Sequence, residues 1–437
     1  MALTYITRTP SSSGNRKIFT FSGWIKRSKI GVGQQIIGQS TESSGNDYFR
    51  IIFNTADQLR VFSSNGGMNK ITSMKFRDTS AWYHIVCAFD SSQSTASNRN
   101  RIYVNGVEQT SFATNNNVAL NTSFEFNITN ECTLGRNAYN NQNFFDGLMS
   151  HIHFIDGTQY NASAFGSVDS VTGEWQINTA PSVTYGNNGF FILKDSNSVT
   201  DQSGKNNNFS VGGSTLTATK DCPSNVFATW NPLVNNAGEM MLLSNGNTSC
   251  QSNAAQGNSW KLAASTLGMT SGKYYWEAKL VNTNNNNYHG VMGSNVFQAN
   301  ASNPMNATGF TGWNNGDGGE MLKDGNVTSN NYGSLSNNDI LGIACDVDNY
   351  TISIYKNGSA LVSNYALSTT GRDVLFPCSV AYNTNNTGIP QSSYNFGNGY
   401  FGTTAVSSAG TNASGNGIFE YNVPSGYTAL STKGLNL

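Results

Sequence analysis

The chain predicts an all-β protein built from antiparallel sandwiches, on three observations. Apolar, aromatic and β-branched residues alternate with polar ones in short runs that end in turn residues. No stretch keeps a 3.6-residue apolar period beyond about ten residues. The 437 residues include 45 glycines and only 8 prolines. Gly and Asn tolerate the positive φ of tight turns, whereas Gly in a helix costs about 1 kcal/mol relative to Ala. The length calls for two or three domains.

In chain order, the first strands are expected at Phe19 to Lys26, Gln35 to Gly38, Tyr48 to Phe53, Leu59 to Phe62 and Trp82 to Asp90. Arg101-Ile102-Tyr103-Val104 then turns at Asn105-Gly106, a strong hairpin signal. In the second half, Tyr274, Trp276, Ala278 and Leu280 share one strand face, and Tyr275, Glu277 and Lys279 the other. Ile352 and Ile354 oppose Thr351, Ser353 and Tyr355, again before an Asn-Gly turn at Asn357-Gly358.

Composition narrows the function. Only 11% of residues are charged and the formal net charge is −1. No basic stripe is present to neutralise phosphates, so nucleic acid is not expected as a partner. No apolar run is long enough to span a bilayer, and the first ten residues lack the pattern of a signal peptide. Of six cysteines, Cys87, Cys345 and Cys378 share strand parity with apolar neighbours and read as core thiols. Cys132, Cys222 and Cys250 complete the set, and no metal-ligand spacing appears.

The order Gly272-Lys273-Tyr274-Tyr275-Trp276-Glu277, Asp339 to Asp346, Thr351 to Gly358, Leu375-Phe376-Pro377 and Asn395-Phe396-Gly397 resembles a SPRY domain. The resemblance implies a β-sandwich that binds partners through its loops. Polar expansions at Asn284 to Asn287 and Asn300 to Asn306 fall in those loops, so no ligand carries over. Asp346 and Asp348 match a commonly acidic strand end, usually structural in that family.

Over about residues 15 to 215, the strand with Trp82-Tyr83-His84-Ile85, the Tyr103-Val104-Asn105-Gly106 hairpin, Leu134-Gly135 and Gly147-Leu148 resemble a laminin-G-like, concanavalin A-like jelly roll. His153 to Gly157, Tyr185 to Phe190, Asp201 to Asn207 and the closing Val423 to Lys433 are similar to structural proteins of tailed marine bacteriophages. Such chains place the jelly roll before a SPRY-like domain. The resemblance implies two tandem antiparallel β-sandwiches: a jelly roll at 1–220, a linker at 221–232, and a SPRY-like sandwich with a C-terminal extension at 233–437.

Candidate chemistry is sparse. Glucanases of concanavalin-like fold share a Glu-x-Asp-x-Glu strand. Here the nearest stretch is Glu125 to Glu131, with Asn127 and Thr129 where carboxylates would stand. On an extended strand Glu125 and Glu131 would lie about 20 Å apart, too far to cooperate. No catalytic residue is assigned and no enzymatic activity is expected. His151 and His153 would share a strand face, His84 reads as a packed strand residue, and His289 as a loop residue. No metal site follows. No cofactor is expected, with Ca²⁺ on Asp146, Asp156, Asp195 or Asp201 the option left open, since laminin-G-like domains often bind it at a sandwich rim. Trp175 is expected at the domain junction. The best ligand-binding candidate is Trp313 with Asn314, Asn315 and Asp317, an aromatic ring beside hydrogen-bonding groups, as a sugar requires. The favoured alternative for Trp313 is a buried strand end.

The resulting expectation is a virion structural protein of a fibre, spike or head appendage, assembled in the host cytoplasm and binding host-surface glycan. The alternative is a capsid or tail decoration protein that binds only other virion proteins. Self-association is expected because few charges oppose close approach and an Asn/Ser/Thr surface makes wet contacts, and the phage resemblance implies that it takes the form of a trimer.

Overall fold

Alternation becomes strand in both halves of the chain. The computed structural model describes residues 3–40, 47–234, 240–253, 259–283, 286–295, 303–315, 318–329, 331–382 and 389–437. The expected loop residues 284–285 and 300–302 and Asp317 lie outside these. The chain divides into two units, Met1–Ala218 with Cys222–Ser224, and Thr219–Asp221 with Asn225–Leu437. The architecture is all-β, and among the described residues helix is confined to short turns.

In the first unit an eight-stranded sheet runs, in spatial order, through Phe112–Asn116, Asn69–Lys75, Gln58–Ser63, Tyr48–Phe53, Gln34–Ser40, Cys132–Leu134, Tyr5–Arg8 and Ser210–Gly212. A six-stranded sheet runs through Phe190–Ile192, Gly147–Asp156, Ile18–Arg27, Tyr83–Asp90, Asn100–Val104 and Val107–Glu108. The core between them is aromatic. Phe19 lies 4.6 Å from Phe89, 5.3 Å from Phe124 and 5.6 Å from Phe49 between ring centres. Each such ring contributes about 1.5–3 kcal/mol by leaving water. Cys87 joins this core, as its parity predicted. Glu125 to Glu131, expected as a strand, is irregular: Phe124, Phe126 and Ile128 turn inward while Asn127 takes φ 61°.

The second unit packs a sheet of Leu242–Ser244, Ser249–Gln251, Gln391–Asn395, Lys273–Asn282, Ile340–Asp346, Thr351–Lys356 and Ser359–Ala366 against one of Trp260–Ala264, Leu375–Tyr382, Asn287–Gly293, Phe310–Asn314, Glu320–Lys323 and Asn326–Ser329. Tyr274, Trp276, Ala278 and Leu280 face the core with Ile352 and Ile354, as alternation predicts. Thr428–Ala429 adds a short parallel pairing to Tyr274 and Tyr275. The stretch expected as a linker is partly core. Phe227, Ala228 and Trp230 are buried in the second unit, with Trp230 edge-on to Tyr394 at 4.5 Å. All six cysteines are free thiols.

Both Asn-Gly hairpins form, with matching detail. Asn105 and Gly106 take φ 46° and 81°, and Asn357 and Gly358 take 48° and 80°, as a type I′ turn requires. Each asparagine exchanges two hydrogen bonds with a neighbouring strand. Asn105 donates its backbone N–H to the His84 carbonyl at 2.9 Å, and its Oδ1 accepts the His84 N–H at 2.8 Å. Asn357 does the same with Ile340, at 2.8 Å in both directions. Each glycine is roofed by an aromatic ring. A Cβ on Gly106 would meet Trp175 at 2.4 Å, and one on Gly358 would meet Tyr421 at 2.7 Å.

Those rings belong to segments that cover the outward face of one sheet in each unit. In the first, the 3₁₀ turn Ala162–Ala164 and the hairpin Gly166–Val168/Trp175–Ile177 bury Val86, Ala88, Tyr103 and Ile155. In the second, the C-terminal segment buries Tyr275 and Ala344 under Phe419 and Val423.

Candidate functional site

Of the predicted cluster, Trp313, Asn314 and Asn315 are interior. Trp313 lies within Phe310–Asn314, with His289 and Met321 directly opposite on the flanking strands, and is 0% exposed. Strand parity turns it inward, so it presents no face to a sugar and the stacking assignment is corrected. Asn314 Nδ2 donates to Glu320 Oε1 at 2.8 Å. Asn315 Nδ2 donates to the Leu335 carbonyl at 2.9 Å, and its Oδ1 accepts the Leu335 N–H at 2.6 Å. Both amides serve the fold.

His84, His153 and His289 are buried and engaged, and His151 is half-buried beside Ser150. His84 pairs with Ser22 Oγ through Nε2 at 2.9 Å, while Trp175 Nε1–H donates to its Nδ1 at 2.9 Å. An indole is donor only, so Nδ1 accepts and Nε2 carries the proton. A Ser-His nucleophile needs the opposite tautomer, with a free Nε2 lone pair facing the hydroxyl. Burial also pushes His84 down to about 3. Trp175 thus packs inside the first unit rather than at a junction. A bulge between Ser150 and His153 breaks the expected i, i+2 pairing, with His151 at φ 48°. His153 stacks on Phe191 at 4.0 Å and meets Tyr185 Oη at 2.9 Å. His289 is a buried strand residue, not a loop one, and its Nδ1 pairs with Tyr394 Oη.

The carboxylates clamp backbone. Asp156 accepts from Asn15 N–H at 2.7 Å, Asn127 Nδ2 at 2.7 Å and Asn188 N–H at 3.1 Å. Asp201 accepts from the N–H groups of Phe191, Ser203 and Asn207 at 2.8–2.9 Å. A calcium site needs converging oxygen lone pairs, whereas N–H donors converge on these two. Asp195 is exposed in a turn, and burial raises the carboxyl of Asp146 above its usual range. Among the described residues no three His, Cys, Asp or Glu side chains converge on a metal position. Glu125 pairs with Arg16 at 2.8 Å and Glu131 with Arg136 at 2.7 Å. In the second unit Glu277 accepts the Glu420 and Tyr421 N–H groups at 2.9 Å each, pinning the C-terminal cover. Burial outweighs these donors and holds its carboxyl up at about 7.

What remains is a surface. On the outward face of the eight-stranded sheet, Tyr48 and Arg50 alternate with inward Phe49 and Ile51, and Arg60 and Phe62 with inward Leu59 and Val61. Arg50 stands opposite Phe62 and Arg60 opposite Ile52. Arg50 lies over Tyr48 at 4.5 Å and Arg60 over Phe62 at 4.0 Å. The two rings meet edge-on at 5.3 Å. Arg60 Nε donates to Asn69 Oδ1 at 2.9 Å. Tyr48, Arg50, Arg60 and Asn69 are all partly exposed. The sequence analysis missed this face, although the alternation in Tyr48-Phe49-Arg50-Ile51 and Leu59-Arg60-Val61-Phe62 places both arginines opposite the core residues.

Residues 4–160 match the family described as the concanavalin A-like lectin/glucanases superfamily, of laminin-G type, and residues 273–391 match the SPRY domain. Both modules are therefore present in one chain. No curated protein matches it. Among solved structures it is similar to the SPRY domain of human HERC1 at 19% identity, covering 35% of this chain and 91% of that one, with a TM-score of 0.29. It is also similar to a heptameric SAP-like pentraxin from Limulus polyphemus at 12% identity, covering 49% and 91%, with a TM-score of 0.31. A putative carbohydrate binding protein from Bacteroides ovatus is similar at 16% identity, covering 49% and 59%, with a TM-score of 0.29.

Proposed function

We propose that this chain is a non-catalytic binding protein whose first unit presents its arginine–aromatic sheet face to carbohydrate. One observation carries the reading. Tyr48, Arg50, Arg60 and Asn69 are partly exposed on rigid paired strands, while the other candidate groups are spent inside the fold. Rings with adjacent donors suit a sugar, which offers C–H faces and hydroxyls. The lectin/glucanase description of residues 4–160 supports this class of ligand. No enzymatic role is proposed, since His84 lacks a free lone pair and Glu125 and Glu131 are each tied to an arginine.

The finer reading is adhesion to a host-surface glycan by a self-associating component of a virion appendage. It rests on the resemblance of His153 to Gly157, Tyr185 to Phe190 and Val423 to Lys433 to tailed-phage structural proteins. Two measurements test the whole. Titration against a panel of soluble polysaccharides should give saturable binding that Tyr48→Ala weakens, and no reducing ends should be released. Antibody labelling of purified particles should place the chain on an exposed appendage. Binding to no polysaccharide, with the chain buried among other particle proteins, would leave decoration as its role.

A further inference from the structure

The arginines of the first unit are mostly matched. Arg27 is held by Asp57 at 3.0 Å, Arg16 by Glu125 and Arg136 by Glu131. Arg8 and Arg99 donate to backbone carbonyls. Arg50 differs. Among the described residues its guanidinium makes no ion pair and no hydrogen bond, only the stack on Tyr48. Arg60 spends Nε on Asn69, and among the described residues its two Nη groups have no partner.

The two cations are diagonal neighbours on adjacent strands, a placement that puts such positions roughly 7–8 Å apart. Like charges this close repel, and partial burial adds a desolvation cost. Both effects hold Arg50 below its ordinary value, burial being the larger. A guanidinium over a ring face spends none of its N–H donors on that contact, so those of Arg50 and the Nη donors of Arg60 stay available to a ligand. A planar fork of this kind matches a carboxylate or sulfate, which accepts two parallel hydrogen bonds and cancels the local charge.

We propose that Arg50 and Arg60 form an anion-recognition site, so that the ligand of this face is an acidic polysaccharide engaged through its carboxylate or sulfate groups. This deepens the carbohydrate reading above and rests on it. The rings of Tyr48 and Phe62 fix the forks, Asn69 fixes Arg60, and sugar hydroxyls reach the remaining donors.

The full-length protein is titrated with dextran, polygalacturonate and dextran sulfate of matched length. At least one acidic polymer should bind more tightly than dextran, and added salt should weaken it. The Arg50→Gln/Arg60→Gln variant should lose at least about tenfold in affinity for that polymer, a larger factor than any loss it shows for dextran. Arg50→Lys/Arg60→Lys should restore only part, because an ammonium keeps the charge without the fork. The polymer that shows the loss identifies carboxylate or sulfate as the group read. Equal acidic binding by wild type and the double glutamine variant overturns the site. Binding of dextran alone overturns it while the carbohydrate reading stands, and binding of none of the three defeats both. Thermal unfolding checks each variant. If the double glutamine variant does not fold, Arg50→Lys is read instead, and undiminished acidic binding there overturns the proposal.

Discussion

The two units solve one problem with different chemistry. Each carries an Asn-Gly hairpin whose glycine lies under an aromatic ring, and each covers the outward face of a sheet with a segment outside the sandwich. In the first unit the cover is tied down by a neutral relay, Trp175 to His84 to Ser22. In the second it is tied down by a carboxyl group, Glu277, facing two backbone N–H donors. The geometry of the roof is shared, but the protonation response of the anchor is not. A sandwich tolerates either anchor because the ring-on-glycine contact is made by shape, and the polar partner needs only to be satisfied.

The comparison is sharpened most by pH. Burial holds His84 at about 3 and His153 well below the ordinary 6.5. Both are neutral when folded, while the unfolded chain protonates them below that value. Their contribution is complete above pH 6.5 and is lost as pH falls. Between pH 7.5 and 5 the first unit should lose about 2 kcal/mol through His84, with His153 acting in the same direction. In the second unit Glu277 is raised from 4.5 to about 7. The folded state takes up its proton as pH falls through about 7, while the unfolded chain does so only near 4.5, so stability rises by about 2–3 kcal/mol as pH falls to 5. His289, also at about 3, opposes this by about 2 kcal/mol. Hydrogen exchange resolved by unit should therefore show the first unit weakening on acidification and the second almost level. Parallel slopes would break the contrast.

Glu277→Gln comes next. Its amide nitrogen would face an N–H of Glu420 or Tyr421, leaving a buried donor unpaired at about 1–3 kcal/mol. Chemical denaturation should show that loss in the second unit alone. Acidification should then weaken that unit as well, through His289. Trp175→Phe keeps a ring over Gly106 but removes the donor to His84, for about 1–2 kcal/mol in the first unit. The same measurement on Tyr421→Phe should show almost nothing, since the Tyr421 contact with Gly358 is made by its ring. Gly358→Ala should cost about 1 kcal/mol from the left-handed backbone, plus a shift of Tyr421. Gly106→Ala should exceed it, because His84 holds Trp175 in place.

Which parts of this were legible follows from the range of the forces. Strand parity is local, so Trp276, Ile352, Cys87 and both Asn-Gly turns could be read directly. Trp313 sits among Gly312, Asn314 and Asn315, a composition that imitates a loop; its burial comes from His289 and Met321 on neighbouring strands. The bulge at His151 shifts register without any marking residue, which defeats i, i+2 reasoning. The covers were invisible for a similar reason. Trp175 and Tyr421 find their glycines across 69 and 63 residues of chain, counted from Gly106 to Trp175 and from Gly358 to Tyr421. The arginine–aromatic face is written in local alternation, but the meeting of its two arginine–ring pairs depends on the register of two strands.

The hairpin asparagines carry a consequence for how the protein ages. An Asn-Gly bond is prone to self-attack, in which the glycine backbone nitrogen bonds to the asparagine side-chain carbonyl carbon and expels ammonia, and water then opens the cyclic imide to aspartate or isoaspartate. That reaction needs a side chain free to rotate and a backbone free to follow. At both turns the Oδ1 atom is held by a strand N–H, and a ring lies on the glycine. The devices that seat the covers also fix these two bonds in an unreactive pose. Loss of a cover would expose a chemical clock as well as a sheet face, and the damage would outlast any refolding.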